Sequence, residues 1–241
     1  MTSKLAKIII LLDRFASQLI IIFFTFVLLI SLYAIYDAVC VHNETRVISD
    51  ASKLVDAVPD NERIAELKKT NDEIVAWVQI DGTAIDYPVT QAKNNQFYLT
   101  HDYKKDYSIA GSIFADFRSN LLEDDYAIIY GHNMNGNSMF GELNKFDDSK
   151  FFESHQKSTV YLENGRYEAE VLAYTIISSD SETIYDLDDV KKDSNDKILA
   201  EFQNRATNKR SLDKPYTNLL LLSTCHLHSG ERAVVLMGFN R

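Results

Sequence analysis

Between Phe15 and Tyr36 the chain carries no charged side chain, and Leu19 to Leu32 is almost entirely Leu, Ile, Phe and Val. Coiled as a helix, those 22 residues would reach about 33 Å, enough to cross the hydrocarbon layer of a bilayer. A run this apolar has no place on a soluble surface. It therefore commits the start of the chain to a membrane or to removal as a signal. The signal-peptide reading fits less well, because the apolar stretch is long and no small-x-small cleavage site follows it. A lipidated Cys40 fits poorly too, since Asp37, Ala38 and Val39 precede it where lipoprotein signals place leucine and small residues.

Charge gives the orientation. Lys4, Lys7 and Arg14 lie before the apolar run, whereas Asp37 and Glu44 follow it. The positive-inside rule then predicts a cytoplasmic tail (1–14), a transmembrane helix (15–36), a stalk (37–60) and an extracytoplasmic domain (61–241). Beyond the span the chain holds 22 basic and 34 acidic residues, a formal charge of −12. A domain this acidic lacks the electrostatic footprint of a nucleic-acid binder, so no nucleic-acid partner is expected. Two cysteines, Cys40 and Cys225, exclude a disulfide scaffold and a zinc site built from several thiolates.

The extracytoplasmic part changes texture along its length. Ile64, Leu67 and Ile74 are spaced as one face of a helix ending near Trp77. Short apolar runs bounded by Gly, Asn or Asp then predict strands at 75–80, 84–89, 111–115, 126–130, 158–162, 167–177, 217–224 and 232–239. One helix interrupts them at 194–207, with Ser194 placed to cap it and Ile198, Leu199 and Phe202 along one side. The acidic stretch 180–193 reads as a solvated loop. Strand-rich and about 180 residues long, the domain is expected to be mainly β, a barrel or closed sheet.

Four consecutive leucines lead through Ser223 and Thr224 to Cys225, and after six intervening residues, 226–231, Arg232 opens the next apolar run. If these runs pair as a hairpin, Cys225 and Arg232 meet at the same end of the sheet. A guanidinium beside a thiol favours the nucleophilic thiolate. Spacing alone leaves open a buried core cysteine beside a surface arginine. His132 follows the apolar run Ala127–Tyr130 through Gly131 and enters a Gly/Asn-rich loop, a common place for a proton-transfer group. His226 and His228 with Cys225 make a rival Cys-His-Leu-His constellation. Alternation along a strand divides those side chains between two faces, so no metal site is expected.

These residues resemble the sortase catalytic set: Ser-Thr-Cys225 at a strand end, Arg232 opening the next strand, and Tyr130-Gly-His132-Asn-Met. The class B branch is the closest match, through Trp77–Val89, Gly111-Ser-Ile-Phe114, Ser138-Met-Phe-Gly141 and the helix at 194–207. The resemblance covers about 60–241. It implies an eight-stranded β-barrel with N-terminal helices and a helix inserted between the sixth and seventh strands. It also implies a cofactor-free, membrane-anchored cysteine transpeptidase of a Gram-positive surface. Cys225, His132 and Arg232 would be catalytic, and Leu99, Tyr130, Ile184, Tyr185 and Ser223 would line the substrate groove. Its partners would be secreted proteins bearing a C-terminal sorting signal and the amine of a peptidoglycan precursor. Two departures stand out: Leu221 replaces a threonine frequent in the family, and His226 occupies a position that is acidic in some relatives. A hydrolytic cysteine protease and a non-catalytic surface binding protein on the same fold are the alternatives.

Overall fold

The protein is described from a computed structural model covering residues 2–55, 58–134, 138–190, 194–212, 214–225 and 230–241. It divides into two units, Met1–Glu44 and Thr45–Arg241. A single helix, α1, spans Thr2–Val55. Within it Lys7–Tyr36 is long and apolar enough to cross a membrane, and its large apolar side chains are exposed. Helical geometry continues through the tail and stalk boundaries. Nothing interrupts it there, because the first proline is Pro59 and the first glycine Gly82.

In the second unit α2 (Arg63–Lys68) leads, among the described residues, into nine strands: β1 (Ile74–Ile80), β2 (Asp86–Thr90), β3 (Ile113–Ala115), β4 (Tyr126–His132), β5 (Lys157–Leu162), β6 (Gly165–Ser178), β7 (Asn208–Lys209), β8 (Asn218–Cys225) and β9 (Glu231–Phe239). The sheet order is β5-β1-β2-β3-β4-β8-β9-β6-β7, and β5 also pairs with β6. That last pairing closes eight strands into a barrel and leaves β7 outside the ring, as a two-residue strand on β6. All eight expected strands are present, with ends shifted by a few residues. Pairing is antiparallel except for β2–β3 and β4–β8.

Alternation along the strands sorts side chains onto two faces. Ala127, Ile129, Leu220, Leu222, Val235 and Met237 fill the barrel together with residues from the other five strands. Tyr126, Ile128, Leu219, Leu221, Val234 and Leu236 face outward, where three helices cover them. These are α4 (Glu182–Tyr185), α5 (Leu187–Val190) and α6 (Asn195–Arg205), which follow α3 (Ser149–Ser154) in the chain. The helix expected at 194–207 is α6, and the Ser194 hydroxyl caps it by accepting from the Lys197 N–H. Leu221 is fully buried here, so leucine in place of threonine adds apolar packing under the helices.

Two expectations fail. The helix predicted to run through Ile74 stops at Lys68. Asn71 ends it: its carboxamide donates to the Tyr98 hydroxyl and the Tyr103 carbonyl, and its side-chain oxygen accepts from the Glu73 N–H. Ile74 then opens β1. It still packs with Ile64 and Leu67, against Trp77 and Tyr161, which is why the spacing looked helical. Residues 180–190 are no simple solvated loop either, and 191–193 lie outside the described residues. Ile184 and Leu187 anchor the short helices α4 and α5 on the barrel's outer face, 1% and 0% exposed.

Burial also holds several phenols protonated. It raises Tyr98, Tyr126 and Tyr130 above the usual phenol range, and with the charge of Asp147 it pushes Tyr174 up to about 12. The folded pKa lies above the unfolded value of ~10, so this stability is complete below pH ~10 and is lost as pH rises toward 12. In an alkaline titration the absorbance change of these four tyrosines is expected to coincide with loss of near-UV circular dichroism. Their ionisation in a chain that keeps its near-UV signal would contradict the burial argument.

Candidate active site

The site is assembled where β4 and β8 run side by side in parallel. Tyr130 pairs with Ser223, Gly131 with Thr224, and His132 with Cys225. Adjacent strands lie ~4.8 Å apart, so His132 and Cys225 are immediate neighbours although 93 positions separate them in the chain. On the other side β8 pairs with β9 in antiparallel register through Ser223 and Val234. The pairing ends there; continued for two residues, its register would set position 225 opposite Arg232, the arrangement the hairpin reading expects. At this end the Thr224 hydroxyl accepts from the Ala233 N–H. His226 and His228, the rest of the Cys-His-Leu-His constellation, lie outside the described residues.

Glycine makes two of these positions possible. A Cβ at Gly131 would lie 2.4 Å from Ile113 and 2.8 Å from Phe140, so only glycine lets β4 reach His132 without displacing the core. Gly111, at φ +61°, packs on the backbone of Tyr98 and Leu99 at a distance that no side chain tolerates. That backbone presents a carbonyl to the site. His132 Nε2 lies 2.8 Å from the Leu99 carbonyl oxygen. A carbonyl only accepts, so Nε2 carries the hydrogen and Nδ1 is the ring atom left to gain or lose a proton.

Arg232 lies over two aromatic rings. Its guanidinium carbon is 5.5 Å from the Tyr130 ring centre and 5.1 Å from that of Tyr185. The two rings stack on each other, 6.4 Å apart at 25°. Cation–π attraction at such distances holds a guanidinium in place while leaving its N–H groups free to donate elsewhere. The Tyr185 and Ser223 hydroxyls share a hydrogen bond of 2.9 Å.

The structure brings the expected groove residues into one neighbourhood at different depths. Tyr130, Ile184 and Ser223 are buried, whereas Leu99 and Tyr185 are half-buried. Ile184 also packs in the outer core, and its carbonyl accepts from the Tyr126 hydroxyl. Sequence reasoning missed Asp116 and Arg118. Asp116 is fully buried and is held by both Arg118 and the Tyr130 hydroxyl. A charged pair in a turn reads as surface, and only the contact with Tyr130 shows otherwise.

A barrel with this strand order and this cluster at one end defines a class. The Sortase domain family model matches residues 78–238, and the chain belongs to the sortase family. Sortase B of Listeria monocytogenes is 41% identical over 143 residues, 55% of this chain and 57% of that protein. The match thus spans little more than half of that relative's length. Bacillus anthracis sortase B, solved in complex with AAEK1, superposes with a TM-score of 0.71 at 29% identity, covering 84% of this chain and 99% of that one. A Staphylococcus aureus sortase B–substrate complex gives 0.67 at 26% identity, covering 75% and 86%. The resemblance to class B sortases is borne out.

Proposed function

We propose that this chain is a membrane-anchored cysteine transpeptidase. It cleaves a C-terminal sorting signal after threonine and transfers the acyl group to the amine of a cell-wall precursor. The observation that supports this most is the register: His132 pairs with Cys225 across β4 and β8, and Arg232 lies near the start of β9, the strand that pairs with β8 on its other side.

In this reading Cys225 reacts as the thiolate and attacks the threonine carbonyl carbon, whose π electrons move onto oxygen. The Arg232 guanidinium, steadied on Tyr130 and Tyr185, donates hydrogen bonds to that oxyanion. As the tetrahedral adduct collapses, the C–N bond breaks and His132 delivers the proton on Nδ1 to the departing amine. A thioester on Cys225 remains. The acceptor amine then attacks the thioester carbon and passes a proton back to Nδ1, and the C–S bond breaks to give an amide and the restored thiolate. Amide formation outruns hydrolysis where the site positions the amine better than water. With α1 in the bilayer and its basic end in the cytoplasm, the barrel faces outward, where secreted substrate and lipid-linked precursor are both held at the membrane.

The test uses the full chain in detergent micelles, a quenched peptide with a single Thr–Asn or Thr–Gly bond, and an oligoglycine acceptor. Mass spectrometry is expected to show the new amide rising with acceptor concentration. Cleaved peptide alone at saturating acceptor would replace the transpeptidase with a hydrolytic protease.

A further inference from the structure

Asp116 is fully buried, and an isolated carboxylate is not stable in such a place. Its oxygens are instead crowded with donors. Arg118 gives Nε at 2.9 Å, Nη2 at 3.0 Å and its backbone N–H at 3.0 Å. Asn95 Nδ2 donates at 2.9 Å and the Tyr130 hydroxyl at 3.1 Å. Burial alone would push this carboxyl up. Taken together, the hydrogen bonds from Arg118 and Asn95 and the Arg118 charge outweigh burial and keep it below the usual range.

The far ends of these contacts all lead to the same place. Asn95 belongs to the segment whose Leu99 carbonyl holds His132. Tyr130 lies two positions before His132 on β4 and forms one ring under Arg232. Arg118 Nη2 also donates to the Tyr185 carbonyl at 3.0 Å, and Tyr185 supplies the second ring under Arg232 and the partner of Ser223. A tie serving the fold alone has no reason to end on three supports of one site.

We propose that Asp116 and Arg118 are positioning residues. Together they fix the 94–99 segment, β4 and α4 relative to one another, and so set where His132 and Arg232 stand, without touching the reacting atoms. The role deepens the transpeptidase reading and rests on it for its purpose. Arginine is required because its planar fork bonds both Asp116 oxygens and the Tyr185 carbonyl at once. A lysine, with one charged nitrogen on a flexible stem, cannot do so.

The test follows alkylation of Cys225 by iodoacetamide across pH, using the full chain in micelles and reading the Cys225 peptide separately from Cys40 by mass spectrometry. A well-placed guanidinium enriches the thiolate. In Arg118→Lys the midpoint of the alkylation profile is therefore expected to rise by about one pH unit, a roughly tenfold slower reaction at neutral pH. Turnover of the quenched Thr–Asn peptide is expected to fall tenfold or more in kcat, with KM within about threefold, because the groups displaced act in the transition state. Asp116→Asn should do the same while keeping the side chain's shape. An unchanged alkylation midpoint in a folded variant overturns the proposal. So does failure of both variants to fold, which would assign the pair to stability alone. Loss of the transpeptidase reading looks different: the wild-type chain would show the alkylation shift against Arg118→Lys yet cleave no peptide.

Discussion

Cys225→Ala is expected to lower both peptide cleavage and amide formation by roughly 10⁴-fold or more, to the background of the assay. The size follows from the role proposed for the thiol. Alanine leaves no atom able to form the thioester, so the two-step route is lost outright rather than slowed. What remains is whatever Arg232 and the groove contribute to direct attack by water, and such residual catalysis is small. The fold should stay, since the change removes one sulfur atom at the end of β8. Two measurements check it. Intact-mass spectrometry of the wild-type chain mixed with the quenched peptide should show an acyl adduct on the Cys225 peptide, and the alanine variant should show none. Near-UV circular dichroism of the two proteins should superimpose. A folded alanine variant that still cleaves at a tenth of the wild-type rate would remove the nucleophile from the proposal. It would leave the non-catalytic binding protein as the better reading.

The strands and the site were legible in the sequence to different degrees, for physical reasons. The barrel was readable because short apolar runs mark its strands: Leu219–Leu222 is apolar at every position, as a strand buried on both faces must be. The helix after the sixth strand was readable because Ser194 caps it and Ile198, Leu199 and Phe202 share a side. The expected Cys225–Arg232 juxtaposition needed only a hairpin, a local event. The adjacency of His132 and Cys225 is different, since it depends on the parallel β4–β8 pairing. No local pattern in either strand announces that long crossover, and the resemblance to a family supplied it instead. The two short helices at 182–190 were hidden by composition, because a few apolar residues among acidic ones were enough to anchor them. Asp116 and Arg118 were hidden by chemistry. A charge counts as surface until a structure shows what neutralises it.

His132→Ala is the second large effect, expected to lower kcat by about 10²- to 10⁴-fold. The imidazole is the group proposed to carry the proton to the leaving amine, and its orientation is set from behind by the Leu99 carbonyl. Alanine removes the carrier and leaves that carbonyl without its partner. The stability cost of one lost hydrogen bond at a half-buried site is about 1 kcal/mol, against a typical total of roughly 5–15 kcal/mol, so the barrel should remain folded. Expelling an amine demands a proton, whereas expelling a good leaving group does not. A thioester or activated-ester substrate should therefore be acylated onto Cys225 by the alanine variant far less slowly than the peptide amide is. Added imidazole should also restore part of the amide cleavage by entering the vacated space. Equal losses on the amide and the activated ester would count against proton delivery. They would place His132 instead with the groups that raise the reactivity of the thiol, acting before the leaving group departs.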